Sequence, residues 1–386
     1  MNEKAQEKQR QLLEWQEERI KKFQEQGIVF RLATPDDAQA LADLHNQEYG
    51  TRRTAQQWLW EYQTYAPDKA RFRVAVRDGQ VIATGGNIPI HMEVGGKTKL
   101  ASKGESALCL PQYRGTGLMQ AIGDWTRSNG FWGHFEISFS LSSIDKQHGR
   151  NNFDPVFRNI QTWTRPGSPK VALTARLRGD MTLWRDTSSL RRIASTGKLV
   201  TRALTSGKGG SIPQINALPG YELRRGQTPM QDLQELHQRL FSKNKDIVWI
   251  KYDSKYLDWR MRQHPFKKYD EYQVYEGDVL RAYAFATEYE GEVCISDLLS
   301  EDKHATSLLL GTLLDEYASR AGQFRFLGNP MDRLSVDLFR QLPQFGFSLS
   351  MKWNLSAKDR WAALGTEFFQ IRNWHVNGLW TEGFLY

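Results

Sequence analysis

The chain repeats itself. Arg31, Thr34-Pro35, a helical run and Leu44-His45 stand near the start. Arg224, Thr228-Pro229, a second helical run and Leu236-His237 stand near the middle. Trp60 is followed by Pro67, and Trp259 by Pro265. After each proline comes a strand-like segment: Phe72 to Val76 with a turn at Asp78-Gly79, and Tyr272 to Tyr275 with a turn at Gly277-Asp278. A period of about 190 residues is too long for a solenoid and predicts two copies of one domain.

The copies differ at one place. In the first, an apolar run from Ala107 to Leu110 leads into Gln112-Tyr113-Arg114-Gly115-Thr116-Gly117, and a helical pattern follows from Leu118. Strand, glycine-rich turn and helix in that order aim backbone N–H groups at one spot on the positive end of a helix, where a pyrophosphate can be held. A Cβ at either glycine would keep phosphate oxygens from the backbone. Arg114 adds a fixed charge with a forked donor geometry. There is no Walker Gly-Lys-Ser/Thr, and the G-x-G-x-x-G spacing is absent. In the second copy the same position reads Glu301-Asp302-Lys303-His304. Two acidic side chains at a helix start compete with a pyrophosphate, so only the first copy is expected to bind one.

Composition narrows the class. Of 386 residues, 40% are apolar and 25% charged, as in an ordinary soluble globular protein. No apolar run approaches the roughly 18 residues needed to span a bilayer, and the N-terminus is charged, unlike a signal peptide. The two cysteines, Cys109 and Cys294, fall in separate core-like strands and read as reduced thiols, which predicts a cytoplasmic protein. The net charge of +8 favours anionic ligands, yet no zinc spacing, helix-turn-helix or RNP signature points to sequence-specific nucleic acid. Residues 1–27 carry six basic and six acidic side chains and a thin apolar stripe of Leu12, Leu13, Trp15, Ile20 and Phe23. They predict a helix docked on the body and open to weak contact with a membrane surface or a second copy of the chain.

The segment Leu108-Cys109-Leu110-Pro111-Gln112-Tyr113-Arg114-Gly115-Thr116-Gly117-Leu118 resembles the V-x-V-x-P-x-Y-R-G-x-G-L stretch of the GNAT N-acetyltransferase superfamily. The Gly95-Gly96 turn also sits where that family has a hairpin. Ser142 to Phe153, with Gly149-Arg150, resembles a segment of the tandem enhanced-intracellular-survival acetyltransferases, with His148 in the slot of their tyrosine and Asn152 in place of a glycine. Their C-terminal sterol-carrier-like domain is not expected here, since the aromatic tail after the second copy is too short for it.

The resemblance implies an α/β fold with a mixed α+β sheet, built as two tandem GNAT-like domains behind an N-terminal helix. The expected organisation is a charged helix over 1–27, an acyl-CoA-binding domain over 28–165 and a basic helical linker over 166–219. A degenerate domain over 220–355 and a tail over 356–386 complete it. Acetyl-CoA or another acyl-CoA would be the donor and a small-molecule primary amine the acceptor, with no metal. An amino sugar of a surface polysaccharide precursor is the first choice of acceptor, since thirteen tryptophans suit sugar faces.

Cofactor contacts are expected from Leu108, Cys109, Leu110, Gln112, Tyr113, Arg114, Gly115, Thr116, Gly117, Leu118, Met119 and Ser143. Amine acylation needs a base for an ammonium of pKa about 10 and an acid for the leaving thiolate. Glu105 is the candidate base, ahead of His91 and Asp124, and His148 the candidate acid. Two other readings remain: an aminoacyl-tRNA-dependent transferase of the peptidoglycan-crossbridge type, and a non-catalytic GNAT-like scaffold. An intact phosphate loop weighs against both.

Overall fold

The computed structural model describes residues 3–49, 51–63, 65, 71–131, 135–142, 156–177, 197, 201, 212–213, 215, 218–359, 364 and 366–380. The chain divides into two compact units, residues 1–90 with 100–140, and residues 91–99 with 141–386. The fold is mixed α/β, with a helix at its N-terminus.

In the first unit helix α1 (Glu3–Gln24) precedes β1 (Val29–Leu32), α2 (Ala38–Tyr49) and α3 (Ala55–Gln63). Strands β2 (Arg71–Arg77), β3 (Gln80–Val94) and β4 (Lys97–Cys109) follow, then α4 (Leu118–Ser128) and β5 (Ile137–Ser142). The strand order is β1-β2-β3-β4-β5. The β2–β3 turn is tight because Asp78 and Gly79 both take positive φ, 51° and 76°, as a two-residue hairpin turn requires. Strand β3 is buried without a break from Val81 to Ile90, the signature of a strand covered on both faces. Gly86 allows that cover: a Cβ there would lie 1.8 Å from the Phe72 ring.

Helix α1 uses only part of its apolar stripe. Ile20 and Phe23 are buried, while Leu12, Leu13 and Trp15 are about half exposed. Arg19 binds Asp124 of α4 at 2.9 Å, and Asp124 is buried and also held by Arg127.

The second unit contains β6 (Val156–Pro166), α5 (Pro169–Leu177), β7 (Tyr221–Arg225), α6 (Met230–Ser242) and the short β8 (Trp249–Ile250). Then come β9 (Tyr269–Glu276), β10 (Val279–Tyr289), β11 (Glu292–Ser300) and α7 (Lys303–Tyr317). Strand β12 (Gln323–Gly328), α8 (Val336–Gln341) and β13 (Ser348–Asp359) complete it. Strands run in the order β13-β6-β12-β11-β10-β9-β7. The core packs Leu309, Leu310, Leu313 and Leu314 of α7 on Ala282, Ala284 and Ala286 of β10 and Val293 and Ile295 of β11. Three alanines in alternation let the helix approach the sheet closely.

Helix α7 starts at Lys303, and Asp302 caps it by accepting from the Ala305 N–H at 2.7 Å. One feature differs from the sequence reading. Strand β6, the end of the segment read as the first copy, lies in the second unit's sheet between β12 and β13 and pairs antiparallel with both. A strand's alternation fixes its faces and not its neighbour, which is why this placement could not be read. Beyond Leu177, nearly all of the expected basic helical stretch lies outside the described residues.

The aromatic tail docks on the second unit. Trp374, Val376, Leu379 and Trp380 are buried. Asn329 donates to the carbonyls of Ile371 and Trp374, each at 2.7 Å.

Candidate active site

The phosphate loop is built by local geometry. Leu110 follows β4 with its N–H on the Ile82 carbonyl at 2.9 Å, and Pro111 starts a single 3-10 turn. Gly115 and Gly117 then take φ of 77° and 95°, in the left-handed region that favours glycine. Gly117 is the N-cap of α4. A Cβ at either position would meet nothing within 4 Å, so packing does not demand these glycines. Backbone conformation does, and it leaves open space over the loop. Helix geometry leaves the first-turn N–H groups of Met119 and Gln120 without i−4 acceptors. The Leu118 N–H is taken at 3.3 Å by Thr116 Oγ1, which itself donates to the Tyr113 carbonyl at 2.7 Å.

Arg114 is half exposed and already engaged. Its Nε donates to the Cys109 carbonyl at 3.2 Å, and its other arm pairs with Glu48 of α2. It therefore holds the loop against β4 and α2 while keeping its charge at the rim. Tyr113 OH takes a long contact from Arg77 at 3.5 Å. Leu108 and Leu110 are buried beneath the loop, while Gln112 is exposed. Burial pushes the Cys109 thiol up, with Arg114 pulling the other way, so it stays a thiol at neutral pH and is not an activated nucleophile.

Beside the loop the sheet opens. Strands β4 and β5 pair in parallel at Ala101–Lys103 and no further among the described residues, although β4 continues to Cys109. Within that unpaired length Ser106 has φ of 45°, in the left-handed region and without being glycine. Glu105, one residue earlier, is paired with Lys103 and its side chain is nearly buried. Asp124 is committed to Arg19 and Arg127, and His91 belongs to the second unit. His148 and Ser143 lie outside the described residues.

Sequence reading missed two buried polar chains near this opening. Arg73 of β2 donates to Asn87 of β3, which donates to Ser102 of β4, across three adjacent strands. Burial pulls the Arg73 guanidinium down to about 10. Arg53 binds Glu61 at 2.7 Å and the Tyr62 hydroxyl at 2.9 Å, and Tyr62 meets Ser106 Oγ at 2.8 Å. Neither chain has a signal in sequence, since Tyr62 and Ser106 are 44 residues apart.

The equivalent corner of the second unit is closed. Asp302 caps α7 and accepts from Tyr221 OH at 3.2 Å, while His304 Nε2 accepts from the Leu218 N–H at 3.2 Å. The helix start that is open in α4 is filled here by the chain's own groups.

Residues 29–125 match the model of the acetyltransferase (GNAT) domain family. Among curated proteins none matches the sequence. Several solved structures share the fold. One is a conserved protein of unknown function from Enterococcus faecalis V583, a probable N-acyltransferase, with TM-score 0.57, 11% identity, and 86% of this chain and 72% of that chain covered. A GCN5-related N-acetyltransferase from Anabaena variabilis ATCC 29413 has TM-score 0.53 and 15% identity, covering 85% and 72%. Saccharomyces cerevisiae N-myristoyltransferase with bound myristoyl-CoA has TM-score 0.55 and 13% identity, covering 86% and 83%. The match to the GNAT domain model thus lies in the first third of the chain, inside a fold shared with these solved structures. Among the described residues no group of His, Cys, Asp or Glu is placed to hold a metal, and no helix is long and apolar enough to cross a membrane.

Proposed function

We propose that the protein is a cytoplasmic acyl-CoA-dependent N-acyltransferase that transfers an acetyl or longer acyl group to a primary amine. The observation that carries this reading is the open loop at Gly115 and Gly117. Two positive-φ glycines there leave the start of α4 uncovered, as a pyrophosphate would need. The GNAT domain match over the same residues supports it, as does a fold shared with an acyltransferase that binds myristoyl-CoA.

The residues divide the work. The first-turn N–H groups of Met119 and Gln120 at the start of α4 hold the pyrophosphate, with Arg114 at the rim. The β4 backbone around Leu108–Leu110 lies along the thioester and offers an N–H to the oxyanion. Glu105 takes the proton of the amine, directly or through water, working beside Lys103. His148 remains the sequence-based candidate for an acid. One acyl-CoA binds per chain, because the second helix start is occupied. An amino sugar is the preferred acceptor.

The test is the thermal midpoint with and without acetyl-CoA and longer acyl-CoAs, in the wild type and in Gly117→Glu. A ligand at about 100 times its Kd adds about 2.7 kcal/mol to a state it binds alone. A rise in the wild type that Gly117→Glu abolishes is expected. No rise with any acyl-CoA overturns the reading.

A further inference from the structure

The second unit contains a cavity of about 840 Å³ that the acyl-CoA reading does not use. It lies where the end of β7 meets the loop leading into β9, with Arg225 to Gln227 on one side and residues from Met261 to Glu271 on the other. A space of this size suits a small molecule.

Four cations line it, Arg225, Arg262, Lys267 and Lys268, against two carboxylates, Asp270 and Glu271. Both arginines are committed. Arg262 forks onto Glu271, Nε to Oε1 at 2.9 Å and Nη2 to Oε2 at 3.2 Å, and Glu271 also accepts from the Thr228 N–H at 2.9 Å. Arg225 pairs with Glu316 of α7 at 2.7 Å and stands 3.8 Å from Asp270. The excess of positive charge is therefore carried by the lysines, which present compact point charges rather than planar forks.

The loop itself places Lys267. His264 Nδ1 accepts from the N–H groups of Phe266 and Lys267, at 3.2 and 3.1 Å, and holds the turn between them. Lys268 is exposed, whereas Lys267 is nine-tenths buried with its ammonium 4.3 Å from the centre of the Tyr289 ring. Burial pulls the Lys267 pKa down to about 7 and outweighs the opposing influence of Cys294, Glu292 and Glu290. A further negative charge in the cavity would restore the ammonium. Phe266 and Tyr269 line the same space and offer it ring surface.

We propose that this cavity binds a small phosphate ester with an apolar body, its phosphate held by Lys267 and Lys268 and its body by Phe266 and Tyr269. Phosphate fits better than carboxylate, because the arginine forks that match a carboxylate are already filled by Glu271 and Glu316, while lysine point charges suit phosphate. The site shares no residue with the loop at Gly115 and Gly117 and does not depend on the acyl-CoA reading.

Titration calorimetry on the full chain with phenyl phosphate tests it. About 0.15 M salt screens unspecific attraction to a chain of net charge +8. One phenyl phosphate per chain is expected, with inorganic phosphate and benzoate each bound roughly tenfold more weakly. Lys267→Met, which keeps length and loses charge, should weaken phenyl phosphate roughly tenfold, and Lys268→Gln by a smaller factor in the same direction. Both variants should keep the wild-type thermal midpoint without ligand, and Lys268→Gln, at an exposed position, tests the site even if Lys267→Met does not fold. Gly117→Glu should bind phenyl phosphate as the wild type does. No saturable binding by the wild type overturns the proposal, as does unchanged binding in the folded lysine variants. Binding lost in Gly117→Glu overturns it too, by placing the phosphate on the loop before α4. Benzoate bound as tightly as phenyl phosphate overturns the choice of phosphate. None of these failures touches the acyl-CoA reading, which stands on its own titration.

Discussion

His375 Nδ1 lies 2.7 Å from Asp332 Oδ2, and both side chains are buried. Nε2 faces Asp297 Oδ1 at 3.8 Å. Burial works against a charged imidazole, but the two carboxylates outweigh it and raise the His375 pKa above its ordinary value. This pair fastens the aromatic tail to the second unit, with Asn377 Nδ2 on Tyr252 OH at 2.6 Å beside it.

Asp332→Asn should therefore loosen the tail. Removing one partner of a buried pair costs about 3 kcal/mol. The raised pKa sets the pH dependence: the folded state holds this proton more tightly than the unfolded one. The pair's contribution is complete below about pH 6.5 and fades as pH rises through the folded value. Urea unfolding should show a larger loss for the variant at pH 6 than at pH 9. An equal loss at both would mean that His375 stays neutral.

His237 behaves in the opposite sense. Burial, and then the charge of His375, pulls it down to about 3. Its Nε2 meets Tyr283 OH at 3.1 Å, and that hydroxyl donates to Asp297 at 2.8 Å. Unfolding lets this imidazole take up a proton, so stability falls as pH drops below about 6.5 toward 3. At pH 5 this amounts to about 2 kcal/mol. His237→Gln should flatten the acid side of the stability profile by that amount, whatever it costs at neutral pH.

Gly86→Ala should be severe. The new methyl would enter the Phe72 ring at 1.8 Å, and the ring is itself held against Trp58 and Tyr62, at 5.0 and 4.2 Å between centroids. Overpacking of this kind costs about 3 kcal/mol. Gly86→Ala/Phe72→Leu should recover part of it, and a denaturation series reads both.

Arg19→Ala should release α1 without unfolding the first unit. Asp124 keeps Arg127, while α1 loses its 2.9 Å ion pair. Hydrogen exchange over residues 3–24 should accelerate at least tenfold, equivalent to about 1.4 kcal/mol, with α4 protection little changed.

How far the sequence could be read depended on how local each signal was. Gly115 and Gly117 announce a turn with positive φ whatever surrounds them, so the loop and the start of α4 were legible at once. The acidic residues at the start of α7 were equally direct, and Asp302 does cap that helix. Arg53 and Ser106 gave no such signal. Their meaning comes from meeting through Tyr62, and periodicity carries no record of which polar side chains converge. Glu105 could be placed on its strand by sequence, whereas its pairing with Lys103 two residues away could not, since regular alternation aims both outward from one face without saying what they find there.

Strand β6 precedes the segment read from sequence as a second copy, yet it belongs to the second unit's sheet. A fragment beginning after Pro166 would hold every segment of that reading, yet β12 and β13 would face each other across a missing strand. Thr162, whose hydroxyl receives the Trp353 indole at 2.7 Å, would be gone with it. Two open edges would then seek partners in other molecules. Expressed alone, that half should aggregate, and adding residues 156–166 back should cure it.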